Sequence, residues 1–285
     1  MKRSDTLAGP PPPTPAELAQ IARIAHDEAG LVIGPSKTTL VQSRLARRLR
    51  ALDLPDYGRY LALVTAPEGQ DERRRMISAL TTNVSQFFRE PHHFALLRDR
   101  VLPPLVARAR SGGRIRIWSA GCAAGQEAFS IAATLAGLLP DPDRHDIRIL
   151  ATDIDPHVLA LARAASYDAA DLAPVPPDLR RWFETTDGGA GPGRSLREIV
   201  SFRELNLHAP WPMAGRFDVI FCRNVTIYFD VEAQHRLWQR FATALSPEGW
   251  LFIGHSERIP AGLPFHSVGV TAYRLSGAAG QTPCR

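Results

Sequence analysis

Residues 114–155 restrict this chain to very few folds. An apolar run, Ile115, Ile117 and Trp118, ends in a turn of small residues, Ser119-Ala120-Gly121-Cys122-Ala123-Ala124-Gly125. A helical pattern follows from about Gln126 to Leu139. A second apolar run, 147–151, then closes on two carboxylates, Asp153 and Asp155. Strand, glycine turn, helix, strand and acid, in that order, make a βαβ unit. Glycines let a backbone pass close to a ligand, and an acid at the tip of the next strand can accept bonds from ribose hydroxyls. The unit points to a nucleoside-type ligand. The competing reading is an ordinary βαβ unit whose small-residue turn holds nothing.

The turn is not GxGxxG, because Gly121 and Gly125 stand four apart. Glu127 sits where a diphosphate would want the positive end of a helix, so a diphosphate is repelled. A ligand without phosphates, with a cationic end to face a carboxylate, fits better. S-adenosylmethionine is such a ligand.

The rest of the chain divides by pattern. Residues 1–15 are a proline-rich lead, expected to be extended or disordered. Helical periodicity starts at Pro15, with Thr14 and Glu17 spaced as a capping box. It runs through residues 16–80 with breaks at Gly34-Pro35, Leu54-Pro55 and Pro67-Gly69, which predicts a small all-helical domain. Residues 81–113 form a linker and a helix that starts at Glu90-Pro91 and stops at Pro103-Pro104. From 114 to 275 strand and helix patterns alternate, so the expected fold is α/β with a mainly parallel sheet. Strands are expected at 114–118, 147–151, 199–205, 217–222 and 249–254, with an edge hairpin around 265–275. Residues 174–198 break the rhythm and read either as a flexible loop or as a small inserted element, with the insertion expected over about 174–201. Its GGAGPG run, 188–193, is expected to be mobile. Residues 276–285 read as an unstructured tail.

Three scattered cysteines, Cys122, Cys222 and Cys284, have no paired spacing, which argues against a disulfide framework or a zinc site and for a reducing compartment. No metal is expected. No apolar run has the length of a membrane span.

Three segments carry residues suited to chemistry. TTNVSQFFREPHHF, 81–94, sets Asn83, Ser85 and Arg89 among phenylalanines. It reads either as a polar linker or as a donor and a carboxylate clamp over the turn, since arginine suits bidentate carboxylate recognition. FDVIFCRNVTIYFD, 217–230, ends a buried strand in Cys222-Arg223-Asn224 and then Tyr228. In open α/β sheets ligands lie beyond the carboxyl ends of strands. Here Asn224 could merely cap a helix and Tyr228 could be core. KTTLVQSRLARRLRAL, 37–52, holds five cations and no acid. At about 100° per residue Val41, Leu45, Leu49 and Leu52 share one face, with Lys37, Arg44 and Arg48 beside it and Arg47 further round. It is either a solvated face or a docking surface. The absence of an i,i+4 acid favours docking, on an acidic helix or on nucleic acid, although few aromatics are interleaved for base stacking.

TTNVSQFFRE, RIWSAGCAAGQEAFSIA, ATDID, FDVIFCRNVTIYFD and LFIGHSE resemble, in order and spacing, the bacterial chemotaxis receptor glutamate methyltransferases. The likeness runs from about Ala16 to Leu275. It implies a Rossmann-like S-adenosylmethionine-dependent methyltransferase domain with a small β insertion, preceded by a small all-helical domain. It implies methyl transfer from S-adenosylmethionine to glutamates on the cytoplasmic helices of methyl-accepting chemotaxis receptors. Carried over residue by residue, the cofactor contacts are Asn83, Ser85, Arg89, Glu127, Asp153, Asn206, Leu207, Cys222 and Arg223, with Arg89 and Tyr228 flanking the reacting methyl. Lys37, Arg44, Arg47 and Arg48 become the receptor-binding cations. The partner is then the receptor cytoplasmic domain and not nucleic acid. The protein is expected to be a cytoplasmic monomer, recruited to receptor arrays without membrane insertion. Departures are Ser85 for threonine, Gln126 for an acid, Ala124 for a hydroxyl residue and Thr226 for an aliphatic one.

That chemistry needs little machinery. A glutamate, with a reference pKa of about 4.3, is already ionised at neutral pH. The leaving thioether is neutral, so neither a general base nor a general acid is required. The alternatives are a methyltransferase for another substrate, or a cofactor-binding module that signals without turnover.

Overall fold

The computed structural model describes residues 10–34, 37–186 and 189–276. The chain divides into two compact units, Met1–Thr82 with Tyr228–Asp230, and Asn83–Ile227 with Val231–Arg285. The expected disorder over 1–15 and 276–285 concerns mainly residues outside the described ones.

The first unit holds α1 (Pro15–Ala29), α2 (Thr38–Ala51), α3 (Tyr57–Thr65) and α4 (Gln70–Leu80). The capping box is present: Thr14 Oγ1 accepts from Glu17 N, and Glu17 accepts back from Thr14 N. Gly30, at φ 69°, ends α1 in the left-handed region that glycine adopts at least cost. Ile21, Val41, Leu45, Leu49, Tyr60 and Met76 are fully buried and form the core of this unit. Residues 228–230 join it through Val32 N, which donates to Tyr228 O at 2.7 Å, and through an antiparallel bridge between Leu31 and Phe229.

The basic stripe on α2 is largely turned inward. Arg44 donates to the carbonyls of Leu80 (2.9 Å) and Thr81 and to Thr82 Oγ1 (3.0 Å), covering the open carbonyls at the end of α4. Arg48 grips Glu72 with two nitrogens, Nε at 2.9 Å, and Tyr60 Oη donates to the same carboxylate at 3.0 Å. The acid that α2 lacks is supplied by α4. Arg44 and Arg48, expected as receptor contacts, are therefore committed to holding α2 on α4. Lys37 lies 5.6 Å from the centroid of the Tyr228 ring and donates to Val32 O. Arg47 is exposed.

The second unit opens with α5 (Pro91–Leu96), a π-helical turn (Leu97–Val101) and α6 (Leu102–Arg110). The Pro103-Pro104 pair does not stop the helix as expected. Both prolines fall in the first turn of α6, where their missing N–H groups cost little, and Leu102 N donates five residues back to Leu97 O.

The sheet contains β1 (Ile115–Ala120), β2 (Ile147–Asp153), β5 (Val200–Glu204), β6 (Phe217–Cys222), β7 (Leu245–Ile253), β8 (Phe265–Gly269) and β9 (Ala272–Leu275), in the order β5-β2-β1-β6-β7-β9-β8. Its first five strands are parallel, and β9 and β8 complete an antiparallel edge. Helices α7 (Gln126–Leu138), α8 (Pro156–Ala164), α9 (Arg194–Ile199) and α10 (Val231–Ala244) connect or flank the strands. The central strands β1 and β6 are buried almost throughout, as strands covered by helices on both faces are. Trp118 is wholly buried, its indole N–H bonded to Thr152 Oγ1 at 2.9 Å, with Trp211 and Phe241 packed on it. β1 lies between β2 and β6, the two neighbours reached by opposite crossovers. This is the switch point at which open α/β sheets take ligands.

The insertion is a two-stranded sheet of β3 (Phe183–Thr186) and β4 (Gly189–Pro192). The GGAGPG run is thus a strand over 189–192, where mobility was expected; Gly188 lies outside the described residues. The glycines serve close approach. A Cβ on Gly189 would stand 2.2 Å from Tyr167 O, and one on Gly191 2.1 Å from Ala165 O. Ala190 and Tyr167 exchange two backbone bonds of 2.9 Å along this contact.

The Arg48–Glu72 pair gives a test that separates structure from docking. Removing one partner of a buried pair leaves the other charge stranded. Arg48→Ala is expected to lower stability by about 3 kcal/mol, whereas Arg47→Ala should stay within about 0.5 kcal/mol of wild type. Urea unfolding of the two variants checks this, and equal effects would contradict it.

Candidate functional site

Two chains of hydrogen bonds organise the carboxyl ends of β1, β2 and β6. The first runs through Asp153. Its Oδ2 accepts from Ala123 N at 2.8 Å and its Oδ1 from Asp155 N at 3.0 Å. The same strand end accepts Gly121 N and Cys122 N on Thr152 O and Leu205 N on Asp153 O. One aspartate thus ties the glycine turn to the tip of β2. Asp155 caps α8 through His157 N, and Asn83 Nδ2 donates to its other oxygen at 2.7 Å. Asn83, expected over the turn, is held at the β2 tip. Burial pushes the Asp153 carboxyl above its usual range, against the backbone bonds that favour its charge.

The turn itself is wound through three positive φ angles, Gly121 at 82°, Ala123 at 47° and Gly125 at 92°. The glycines were expected to make room for a ligand. At these two positions the space is taken by protein. A Cβ on Gly121 would lie 2.3 Å from Val225 Cγ2, and one on Gly125 would meet Ala162, Phe202 and Tyr167 at 3.1 Å.

The second chain runs through Glu127. Its Oε1 accepts from Ser119 Oγ at 2.6 Å and its Oε2 from Arg223 Nε at 2.7 Å. Arg223 Nη1 donates to the carbonyl of Arg89 and lies 3.3 Å from His93 Nδ1 and 3.8 Å from Glu90 Oε2. Glu127, read from sequence as a free acid for a cationic ligand end, is neutralised by a buried guanidinium. His93 Nε2 faces Thr271 Oγ1 at 2.9 Å and Val270 O at 3.2 Å. Burial, with Arg223 and His92 nearby, pushes its imidazole down to about 3, so the ring is neutral. Burial pushes the Glu90 carboxyl up, but bonds from His255 and the charge of Arg223 hold it below its ordinary value. Glu90, His92 and His93 group as metal ligands do. His93 Nδ1 lies 3.4 Å from Glu90 Oε2, and the Arg223 guanidinium sits against both.

The remaining predicted residues fall as follows. Ser85 and Asn206 are half-buried; Asn206 Oδ1 accepts from His208 N at 2.9 Å. Leu207 is buried and its carbonyl accepts from Arg240 Nη1 at 2.7 Å. Cys222 ends β6 with no exposed surface, and burial pushes its thiol well up, so neither its backbone nor its sulfur is open to a ligand. Arg89 is half-buried; its guanidinium donates to Val84 O at 3.2 Å. Tyr228 belongs to the other compact unit. Sequence reasoning gave no role to Ser119, Asp155, His93 or Glu257. Ser119, near the end of β1, and Asp155, two beyond Asp153, carried a positional signal; His93 and Glu257 lay inside the quoted segments 81–94 and LFIGHSE, with nothing in the local pattern to single them out.

Residues 83–274 match the family described as CheR methyltransferase, SAM binding domain, and residues 16–81 match CheR methyltransferase, all-alpha domain. The chain belongs to the CheR methyltransferase family. It is 48% identical over 261 residues to a probable chemotaxis protein methyltransferase of Rhizobium etli, covering 88% of this chain and 96% of that one. It is 40% identical over 272 residues to the chemotaxis protein methyltransferase of Salmonella typhimurium, covering 92% and 90%. It is 41% identical over 272 residues to the chemotaxis protein methyltransferase of Escherichia coli, covering 92% and 91%. As a CheR chemotaxis methyltransferase the chain uses S-adenosylmethionine. Next to the glycine turn, in the first turn of α7, Gln126 Oε1 is buried without a hydrogen-bond partner, an acceptor left for such a group. Among the described residues no helix is long and apolar enough to cross a membrane.

His93 provides a pH test. Its folded pKa of about 3 lies below the unfolded value of 6.5, so the unfolded chain takes up the proton first as pH falls. Stability is therefore complete above 6.5 and is lost progressively below it. Between pH 7 and pH 5 this contributes a loss on the order of 2 kcal/mol. Denaturation of wild type and His93→Gln at both pH values checks it; equal slopes would contradict it.

Proposed function

We propose that this CheR family member transfers the methyl group of S-adenosylmethionine to glutamate side chains on the cytoplasmic helices of chemotaxis receptors, yielding a glutamate methyl ester and S-adenosylhomocysteine. The observation that carries the reading is Arg89. It is half-buried in the segment that opens the SAM binding domain, and among the described residues its guanidinium has no carboxylate partner; its one hydrogen bond goes to a backbone carbonyl. An unneutralised guanidinium is suited to receive a substrate carboxylate. The names of the relatives, chemotaxis protein methyltransferases, support a chemoreceptor substrate.

In this reading the cofactor supplies an electrophilic methyl on a sulfonium. The chain supplies position. Asp153, Asn206 and the turn would hold the nucleoside end; Asn83 fixes the β2 tip through Asp155; Ser85 and Leu207 would line the cofactor. Glu127 and Arg223 set the start of α7 and the Arg89 backbone. Arg89 would orient the incoming carboxylate. The glutamate arrives ionised and leaves as an ester, so no proton moves. Rate then depends on in-line placement and exclusion of water. Arg47, exposed on α2, is the cation of the stripe still open to an acidic receptor helix, with Lys37 beside Tyr228. The protein works in the cytoplasm as a monomer at the receptor arrays.

The test is transfer of labelled methyl from S-adenosylmethionine to receptor cytoplasmic fragments. Label should be released as methanol in mild alkali, as an ester requires. Arg89→Ala should lower kcat about a hundredfold, the scale of a lost positioning or charge contact at a reacting centre. Alkali-stable label, or label on RNA and not on receptor, would contradict the reading.

A further inference from the structure

Glu257 is a buried acid that sequence reasoning left without a role. It ends the turn after β7 and is 3% exposed. Its two oxygens accept five hydrogen bonds, all from neutral donors. Oε1 takes Val225 N at 2.9 Å, Thr226 N at 2.7 Å and Thr226 Oγ1 at 2.8 Å. Oε2 takes Asn224 N at 3.0 Å and Gly254 N at 2.6 Å. Among the described residues no cation pairs with it. Three successive backbone N–H groups, 224 to 226, converge on one carboxylate. That requires Asn224 in the left-handed region, at φ 59°, a conformation asparagine tolerates better than most residues.

The gripped loop has two outputs. Val225 packs on the glycine turn, close enough that a Cβ on Gly121 would fall 2.3 Å from Val225 Cγ2. Arg223, immediately before the loop, reaches Glu127 at the start of α7 and the carbonyl of Arg89. The loop therefore touches the turn, the helix that follows it and the Arg89 segment. It does so at the carboxyl ends of β6 and β7, where such sheets bind ligands and where a bond made only for stability has no need to be. Gly254 has to be glycine here, because a Cβ on it would stand 2.6 Å from Asn224 Nδ2.

We propose that Glu257 is a positioning residue of the methyltransferase site: its carboxylate fixes residues 224–226 and so sets Val225 against the cofactor turn and Arg223 against Glu127 and the Arg89 carbonyl. The inference rests on the cofactor site described above.

The experiment compares full-length wild type, Glu257→Gln and Thr226→Val in three readouts: S-adenosylhomocysteine affinity by calorimetry, receptor methylation kinetics, and thermal unfolding. Glutamine turns one acceptor oxygen into an NH2 that meets N–H groups head-on. Glu257→Gln should weaken S-adenosylhomocysteine binding about tenfold or more and lower kcat by a similar factor. The KM for receptor should change less than about twofold, because uniform substrate binding is untouched. Thr226→Val removes one side-chain donor of the five and should weaken binding about threefold. A folded Glu257→Gln that binds and turns over like wild type would overturn the inference. If Glu257→Gln does not fold, Thr226→Val decides, and wild-type affinity and kcat in that variant would overturn it. Failure of the wild type itself to bind S-adenosylhomocysteine would instead strike the cofactor reading on which the inference rests.

Discussion

The methyltransferase unit depends on one buried ion pair, Arg223 with Glu127. Side chains that are 2% and 9% exposed meet at 2.7 Å between the end of β6 and the first turn of α7. Two charges taken out of water cost several kcal/mol each, which their attraction offsets only if the remaining donors and acceptors are satisfied. Here most are. Ser119 takes the second oxygen of Glu127, and the Arg89 carbonyl and His93 take Arg223. His93 can accept from the guanidinium because its ring is neutral. The arrangement couples strand ends, the helix after the turn and the Arg89 segment into one rigid set. A reaction that needs placement more than proton transfer is served by that rigidity.

Gly121 and Gly125 are required by positive φ and by Val225, Ala162, Phe202 and Tyr167 pressing on them. The turn keeps its shape because its walls are fixed by Asp153 on one side and by the Glu257-held loop on the other. Shape and charge of the site are thus set by residues that do not all face it.

Elements with a period were legible in the sequence. The five parallel strands, the edge hairpin and the helices of the first unit follow from apolar runs, alternating patterns or helical spacing. Pairings across the chain were not. Arg48 finds Glu72 24 residues away, and Arg223 finds Glu127 96 residues away. No local pattern encodes such partners, so α2 read as a free cationic stripe and Glu127 as a free acid. The strand at 189–192 was hidden for a related reason. Glycines that look permissive in isolation are there demanded by the backbone of Ala165 and Tyr167. Pro103-Pro104 misled because a π-helical turn absorbs what an ordinary helix could not.

The central claim is that Glu127 serves the cofactor site as half of a pair with Arg223. A double-mutant cycle on S-adenosylhomocysteine affinity tests it, using Glu127→Gln, Arg223→Met and the double variant. If the two act as a unit, each single change should lose most of the binding and the double should lose little more, a coupling of about 2 kcal/mol. Additive losses would show Glu127 meeting the cofactor as an independent acid and would contradict the account.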